Sequence, residues 1–505
     1  MRIFSRVIAL LAVVGMTISL LCACGAPEHP ASSSESSETQ STNQQQNTTA
    51  ASAQTSNTTA DTLSTVSTDA SSSTTSEASS SATTTTSMTI PSVPDNNPSL
   101  TKELKNTDFI QLAGAALEDI YAKFWTDKNG GHIVNTHGGR PVSGRPTMIW
   151  ESAMLMLCME NYYYATKDAA TKDKMIAHWN YLKDCFTEEQ MIGMQGKTPN
   201  LAADDAGWDA MLYIAMYRIS GDTAALRRAR LNILQSYDYW MDGSLQNGMW
   251  YCDTKLYNGD QWKSVYCASF LISALDYLEV TAGTSEYDAD LYKKTMDLYV
   301  WMQENLCRDA VKTYQNGLQN GNAYTVSQVD HLYWVDFNIN RSGRTEKNGP
   351  DGGVRPLDIK FEGSVSSLFG NMAMAAVNAK LYRMTGQNIY LDRATKTVSS
   401  ITRYYIQKDT GGYLNDRDHG TNAAFLYYYI TDVLTLPTIT QQDRNVLALT
   451  GRAVAQHGKR LDGYYNTSWT TNSYSAGEEY LDLTRMATSV AMITGSALGR
   501  SLNLF

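Results

Sequence analysis

The sequence predicts an all-α domain, an (α/α)6 barrel of six helical hairpins, preceded by a disordered tether. Three observations carry that prediction. Apolar residues recur at three- and four-residue spacing in twelve segments, the period of a helix that buries one face. Similar small turns join successive segments, so the repeating unit is a helix pair of several tens of residues. Long connections (187–203, 243–262, 307–362 and 458–478) each precede an even-numbered helix, which gathers them at one end.

Taken in order, the chain begins with Arg2 and Arg6 ahead of an apolar run from Val7 to Leu21, too short for a permanent span. The run ends in Leu21-Cys22-Ala23-Cys24, which resembles a bacterial lipobox. By that resemblance residues 1–23 are a signal peptide and Cys24 becomes the lipidated first residue. Residues 24–99 are Ser, Thr, Gln, Asn and Ala with almost no large apolar side chains. Such a segment buries too little surface to offset its ordering entropy, so it reads as a disordered linker. A coil of about 70 residues reaches about 50 Å, enough to hold a domain off a membrane. The expected location is the outer face of the cell membrane of an exporting bacterium, with the membrane as partner through the lipid anchor.

Residues 100–505 hold the domain. Its helices are expected near 101–126, 147–166, 169–186, 204–219, 222–241, 263–282, 288–306, 363–385, 387–406, 420–436, 439–457 and 479–499. Nowhere does two-residue alternation persist, so strands should be short. Arg218-Ile219-Ser220-Gly221-Asp222-Thr223 matches Arg383-Met384-Thr385-Gly386-Gln387-Asn388, and Ala165-Thr166-Lys167-Asp168 occupies the same turn in an earlier pair. Glycine at a helix end followed by a capping residue suits a tight reversal. An open solenoid is the rival architecture. Its repeats would be shorter and more regular, so the closed barrel is favoured.

Acidic residues number 51 against 41 basic ones, which argues against nucleic acid or a polyanion as partner. Five cysteines fall in the domain: Cys158, Cys185, Cys252, Cys267 and Cys307. None has zinc spacing. Cys158 and Cys267, inside apolar runs, read as buried thiols, with room for one disulfide elsewhere. His132, His137, His331 and His419 read as turn or surface residues without metal spacing. Asp409 to Asp416 reads as a turn rather than a calcium loop. No metal or cofactor is expected, and a tethered barrel has no evident need of a second copy, so a monomer is expected.

Asp204-Asp205, within 200–208, is the densest cluster of acid–base chemistry in the chain. Adjacent carboxyls at a helix start can stand roughly 5–5.5 Å apart, the spacing of a retaining glycosidase. Helix capping explains such a pair as well. Around it, Trp150-Glu151, Trp208, Trp250-Tyr251, Tyr333-Trp334, Phe361-Glu362 and Trp469 place aromatics and acids at loop-to-helix junctions. Flat rings suit the C–H faces of sugars, although each ring alone equally suits the core.

Pro199-Asn200 through Asp205, followed by Trp208, resembles the Asp-Asp signature of glycoside hydrolase family 76, the α-1,6-mannanases. The segments 149–154, 248–251 with Trp262-Lys263, and 363–391 are similar to other parts of that family, so the resemblance spans about 104–500 in order. Where the family often has Tyr-Asn-Gln-Gly, this chain has Phe361-Glu362-Gly363-Ser364, and the 320–360 insertion is longer. The resemblance implies a retaining, endo-acting α-1,6-mannanase acting on a polysaccharide or oligosaccharide. In it Asp204 is nucleophile and Asp205 general acid/base, with Trp150, Glu151, Asn200, Trp208, Trp250, Tyr251 and Glu362 at the substrate. A helix N-terminus favours the anion, and one carboxylate's charge favours proton retention on its neighbour. Asp209 reads as structural and Glu362 as a reserve carboxylate. Rival readings are a transglycosidase or glycosidase of other α-glycan specificity on the same barrel, and a non-catalytic carbohydrate-binding lipoprotein.

Overall fold

The computed structural model describes residues 103–137, 140–146, 149–188, 194–195, 198–199, 203–241, 249, 260–264, 267–307, 331–333, 336–340, 368–407, 409–414, 421–467, 469 and 483–505. The expected signal peptide, Cys24 and the linker lie outside the described residues.

Twelve α-helices of eight residues or more are found among the described residues. They are α1 (Phe109–Phe124), α2 (Ile149–Thr166), α3 (Ala169–Cys185), α4 (Ala203–Ser220), α5 (Thr223–Trp240), α6 (Ala268–Thr281), α7 (Ala289–Asn305), α8 (Leu368–Thr385), α9 (Asn388–Tyr404), α10 (Thr421–Tyr428), α11 (Gln441–Ala453) and α12 (Leu483–Ser501). The even-numbered helices form a ring: α2 packs on α4, α4 on α6, α6 on α8, α8 on α10, α10 on α12, and α12 returns onto α2. An open solenoid lacks that return. The odd-numbered helices pack outside the ring on their partners.

Sequence explains which helix of each hairpin lies inside. In α8 every residue from Leu368 to Leu381 is buried, as in a helix enclosed all round. Its outer partner α9 buries Tyr390, Ala394, Thr397, Val398 and Ile401, a stripe at three- and four-residue spacing. Cys158 shows how tight the closure is, its Sγ lying 3.1 Å from the Met154 carbonyl on its own helix and 3.4 Å from that of Ala487 on α12. Cys158 and Cys267 are buried, as expected, Cys158 as a free thiol, and Cys185 is free and exposed.

One end of the barrel carries the short turns from inner to outer helices. In three of them the geometry repeats as the sequence predicts. Lys167 N–H, Gly221 N–H and Gly386 N–H donate to the carbonyls four residues back at 2.7, 2.8 and 2.7 Å. All three residues are left-handed, with φ of 59, 74 and 70°. Glycine enters that region without steric cost, whereas Lys167 does not. Asp168 and Asp222 then cap the next helix by accepting from Thr171 N–H and Ala224 N–H.

Beneath these turns five inner helices share a buried charge network. Arg218 on α4 pairs with Glu160 on α2 at 3.1 Å and with Asp276 on α6. Lys380 on α8 lies 3.0 Å from Asp276, 2.8 Å from Glu279 and 3.2 Å from Asp432. Arg383 pairs with Glu279 and Asp432, and Tyr428 donates to Asp276 at 3.0 Å. Burial pushes the Asp276 carboxyl up, but Arg218 and Lys380 outweigh it and hold it at about 2. Burial wins at Glu160 and Asp432, whose carboxyls are raised.

The other end carries the long connections, and here the chain departs from expectation. A three-stranded antiparallel sheet, β1 (Trp125–Thr126), β2 (His132–His137) and β3 (Arg140–Pro146), fills the connection from α1 to α2. Strand β6 (Asp260–Ser264) pairs in register with β7 (Asp336–Asn340), so the start of the predicted 263–282 helix is strand and the helix begins at Ala268. Earlier in the chain, after α3, β4 (Met194–Gln195) pairs with β5 (Thr198–Pro199). Isolated antiparallel bridges follow α5, α7, α9 and α11 at Met241–Met249, Cys307–Tyr333, Ile406–Tyr413 and Lys459–Tyr465. The chain thus folds back on itself after all six outer helices, a repeat hidden from sequence because it resides in backbone pairing. The predicted 420–436 and 439–457 helices end in π turns, Tyr429–Val433 and Val454–Gly458.

Candidate active site

Asp204 and Asp205 are the second and third residues of inner helix α4, at the end of the barrel that carries the long connections. Residues 200–202 just before them, including Asn200, lie outside the described residues. Asp204 is 3 % exposed, while Asp205 is half-buried. The Asp205 backbone N–H donates to Asp204 Oδ1 at 3.1 Å. That bond and the helix N-terminus both favour an anionic Asp204. Side chains one residue apart diverge by about 100° around a helix, so the two carboxyls leave α4 in different directions, and the Asp204 side chain is the more deeply buried.

Trp208 lies one turn beyond Asp204 and is 4 % exposed, with its ring centroid 6.1 Å from that of Trp150 on α2. The Trp208 Nε1–H has no hydrogen-bond acceptor among the described residues. Trp150 and Glu151 are half-buried in the first turn of α2, next to α4 in the ring. The structure therefore brings Trp150, Glu151, Asp204, Asp205 and Trp208 to the first turns of two neighbouring inner helices. Trp150 is the ring of the pair with surface to offer. Trp250, Tyr251 and Glu362 lie outside the described residues. Asp209 is buried in α4.

Two aromatics grouped with the groove from sequence are core residues instead. Trp469 is buried with Nε1 donating to the Tyr413 carbonyl at 2.9 Å. Tyr333 is buried, with its OH donating to Gln303 at 2.7 Å. Nor is His132 a surface residue: its ring stacks on Tyr181 at 3.6 Å between centroids, and Nδ1 lies 3.1 Å from the Lys128 carbonyl. Sequence reasoning also passed over His178, which is buried and accepts the Ile133 N–H on Nδ1 at 3.2 Å. Burial, with His132 nearby, pushes the His178 imidazole down to about 3, so it is neutral. No cluster of three His, Cys, Asp or Glu side chains suited to a metal occurs among the described residues.

No protein-family model and no curated sequence matches the chain. Its likenesses are structural. A GH76 α-mannanase of Bacteroides thetaiotaomicron superposes with a TM-score of 0.59 at 18 % identity, over 80 % of this chain and 99 % of that one. The GH76A α-1,6-mannanase of Salegentibacter sp. HEL1_6 gives 0.55 at 16 %, over 77 % and 99 %. This chain has their (α/α)6 barrel. A cellobiose 2-epimerase of Bacillus thermoamylovorans gives 0.52 at 12 %, over 78 % and 99 %, so the barrel alone does not specify a reaction. Inactive variants of the Salegentibacter enzyme, with two consecutive aspartates replaced, were solved with α-1,6-mannotriose and α-1,6-mannotetrose.

Proposed function

We propose that the chain is a retaining glycoside hydrolase that cleaves α-1,6-mannosidic linkages within mannan. The observation that carries this reading is the consecutive pair Asp204-Asp205 in the first turn of an inner helix, at the barrel end with the long connections. The Salegentibacter enzyme loses activity when two consecutive aspartates are replaced, which supports assigning the chemistry to this pair. Asp204 attacks the anomeric carbon as the glycosidic bond breaks, and Asp205 gives its proton to the leaving oxygen. Asp205 then takes a proton from water, whose oxygen displaces Asp204 and restores both carboxyls. Buried and hydrogen-bonded, Asp204 suits the anion; half-buried Asp205 suits exchange of a proton with a leaving group and with water. Trp150 and Glu151 border the sugar. The chain is displayed on the outer face of the cell membrane through lipidated Cys24 and the 24–99 linker.

Incubation with linear α-1,6-mannan, branched yeast mannan and an α-glucan tests this, with product anomers followed by NMR. Shortened α-1,6-mannan chains with retained α configuration are expected. The structural likeness to an epimerase makes one other outcome informative: unchanged chain length with a new epimer at a reducing end would replace the hydrolase reading. Transfer to added acceptor sugars in preference to water would mark a transglycosidase, and tight binding without turnover a carbohydrate-binding lipoprotein.

A further inference from the structure

We propose that Asn232 and Gly207 are positioning residues for the aspartate pair, holding the first turn of α4 from two sides. The inference rests on the hydrolase reading for its consequence and on packing for its geometry.

Asn232 lies on outer helix α5 and is buried, and its Nδ2 donates to the Ala206 carbonyl at 2.7 Å. Ala206 follows Asp205 directly. The Asn232 side chain shares the inward stripe of α5 with Ala225, Leu226, Ala229 and Ile233, where an apolar residue would pack without cost. A buried amide in a helix interior has poor propensity and a desolvation penalty, so the bond to Ala206 is its evident return. From the other side comes inner helix α6. A Cβ on Gly207 would lie 2.4 Å from Ser269 Oγ, 2.5 Å from Ser269 Cβ and 2.7 Å from the Ser269 backbone carbonyl carbon. Gly207 lies mid-helix without a positive φ, so close approach explains this glycine and backbone freedom does not. Ser269 is the second residue of α6, so the contact joins the first turns of neighbouring inner helices.

Between these contacts α4 cannot rotate about its axis. That matters because a carboxyl about 5 Å from the axis moves by more than about 1 Å for a 15° rotation, and such a misplacement can cost about 100-fold in rate. The clamp keeps Asp204 buried and Asp205 half-buried, each at its own angle around α4.

The test uses the full chain with Asn232→Leu, Asn232→Asp and Gly207→Ala, reading kcat and KM on an α-1,6-manno-oligosaccharide. In parallel, NMR of 13C-carboxyl aspartate follows the titrations of Asp204 and Asp205. For Asn232→Leu, kcat is expected to fall about 10- to 100-fold with KM within about twofold, and the two titration midpoints to move. With Asn232→Asp the deficit should shrink as pH falls, because a protonated carboxyl regains a donor for Ala206. Purely structural packing predicts neither signature. A folded Asn232→Leu protein with unchanged kcat and unchanged midpoints would overturn the clamp. Gly207→Ala risks the fold, so Asn232→Leu decides. If the unaltered chain turns over no α-mannan, the hydrolase reading fails by itself, and the midpoints in Asn232→Leu still decide for or against the clamp.

Discussion

At the end of the barrel that carries the short turns, Glu160, Asp276, Glu279 and Asp432 share Arg218, Lys380 and Arg383. At the end with the long connections, Asp204 and Asp205 stand in the first turn of a single helix. The helix dipole works oppositely at the two ends. Acids near a helix C-terminus are disfavoured, and here each is answered by a cation from a neighbouring helix. Acids at an N-terminus are favoured by the helix itself. The same residue type is thus structural where five helices cross-link through it, and available for chemistry where a helix start supports it.

The largest expected effect breaks the reactive side of this contrast. Asp204→Asn and Asp205→Asn should each lower kcat/KM on α-1,6-mannan by about 10²- to 10⁴-fold. Their urea unfolding midpoints should stay close to that of the unaltered protein. Substantial residual activity in both would remove the pair from the mechanism.

The turn end should answer in the opposite way. Lys380→Met leaves Asp276 and Asp432 without their shared ammonium, and should cost about 3–5 kcal/mol in urea unfolding. Turnover per folded molecule should be unchanged. Stability within about 1 kcal/mol of the unaltered protein would show that the network contributes little to the fold.

Acid sharpens the comparison. An unfolded histidine takes up its proton below about 6.5, whereas buried His178 does so only near about 3. Between those values the unfolded state binds the extra proton, so stability is lost as pH falls from about 6.5 toward about 3. Asp276, held at about 2, gives stability that persists down to far lower pH. The loop end should therefore loosen first. Protection of the Ile133 N–H against hydrogen exchange, taken relative to the intrinsic rate at each pH, should fall between pH 7 and 4 by more than global unfolding explains, because His178 accepts this N–H. Exchange there that tracks the core amides of α8 at every pH would contradict it.

Periodicity made the outer helices readable, because a half-buried helix writes a 3.6-residue pattern into its own segment, and the inner ones were readable as long apolar segments between turn signals. The turns were readable for the same local reason: Thr166, Ser220 and Thr385 each precede a left-handed residue. What joins distant segments was not. Asp276 meets Tyr428 and Lys380 across 152 and 104 residues, and no local pattern announces such partners. Strands β2 and β3 flank Gly138-Gly139, a two-residue hairpin signal, yet their mixed polarity hid them. Trp469 and Tyr333 illustrate the limit for the site. A ring beside a loop reads alike whether the loop turns outward to a groove or dives into the core, and here both dive. The aspartate pair was readable because both its members and its helix start are contiguous. Asn232, 26 residues from the carbonyl it holds, was not.

The smallest effect compares two glycines on one helical hairpin. Gly221 ends α4 at the turn end with φ of 74°, and nothing stands within 4 Å of the position a Cβ would take, so strain there is confined to the backbone. Gly221→Ala should cost about 1 kcal/mol through the left-handed conformation and leave kcat untouched. Gly207 has an ordinary helical backbone but no room beside Ser269, so its replacement should act through displacement of the first turn and lower kcat. A glycine thus reports on its own backbone at one end of α4 and on the approach of a neighbouring helix at the other. Equal losses of stability and activity in the two variants would mean that α4 moves as one rigid rod, and that the first turn has no separate anchorage.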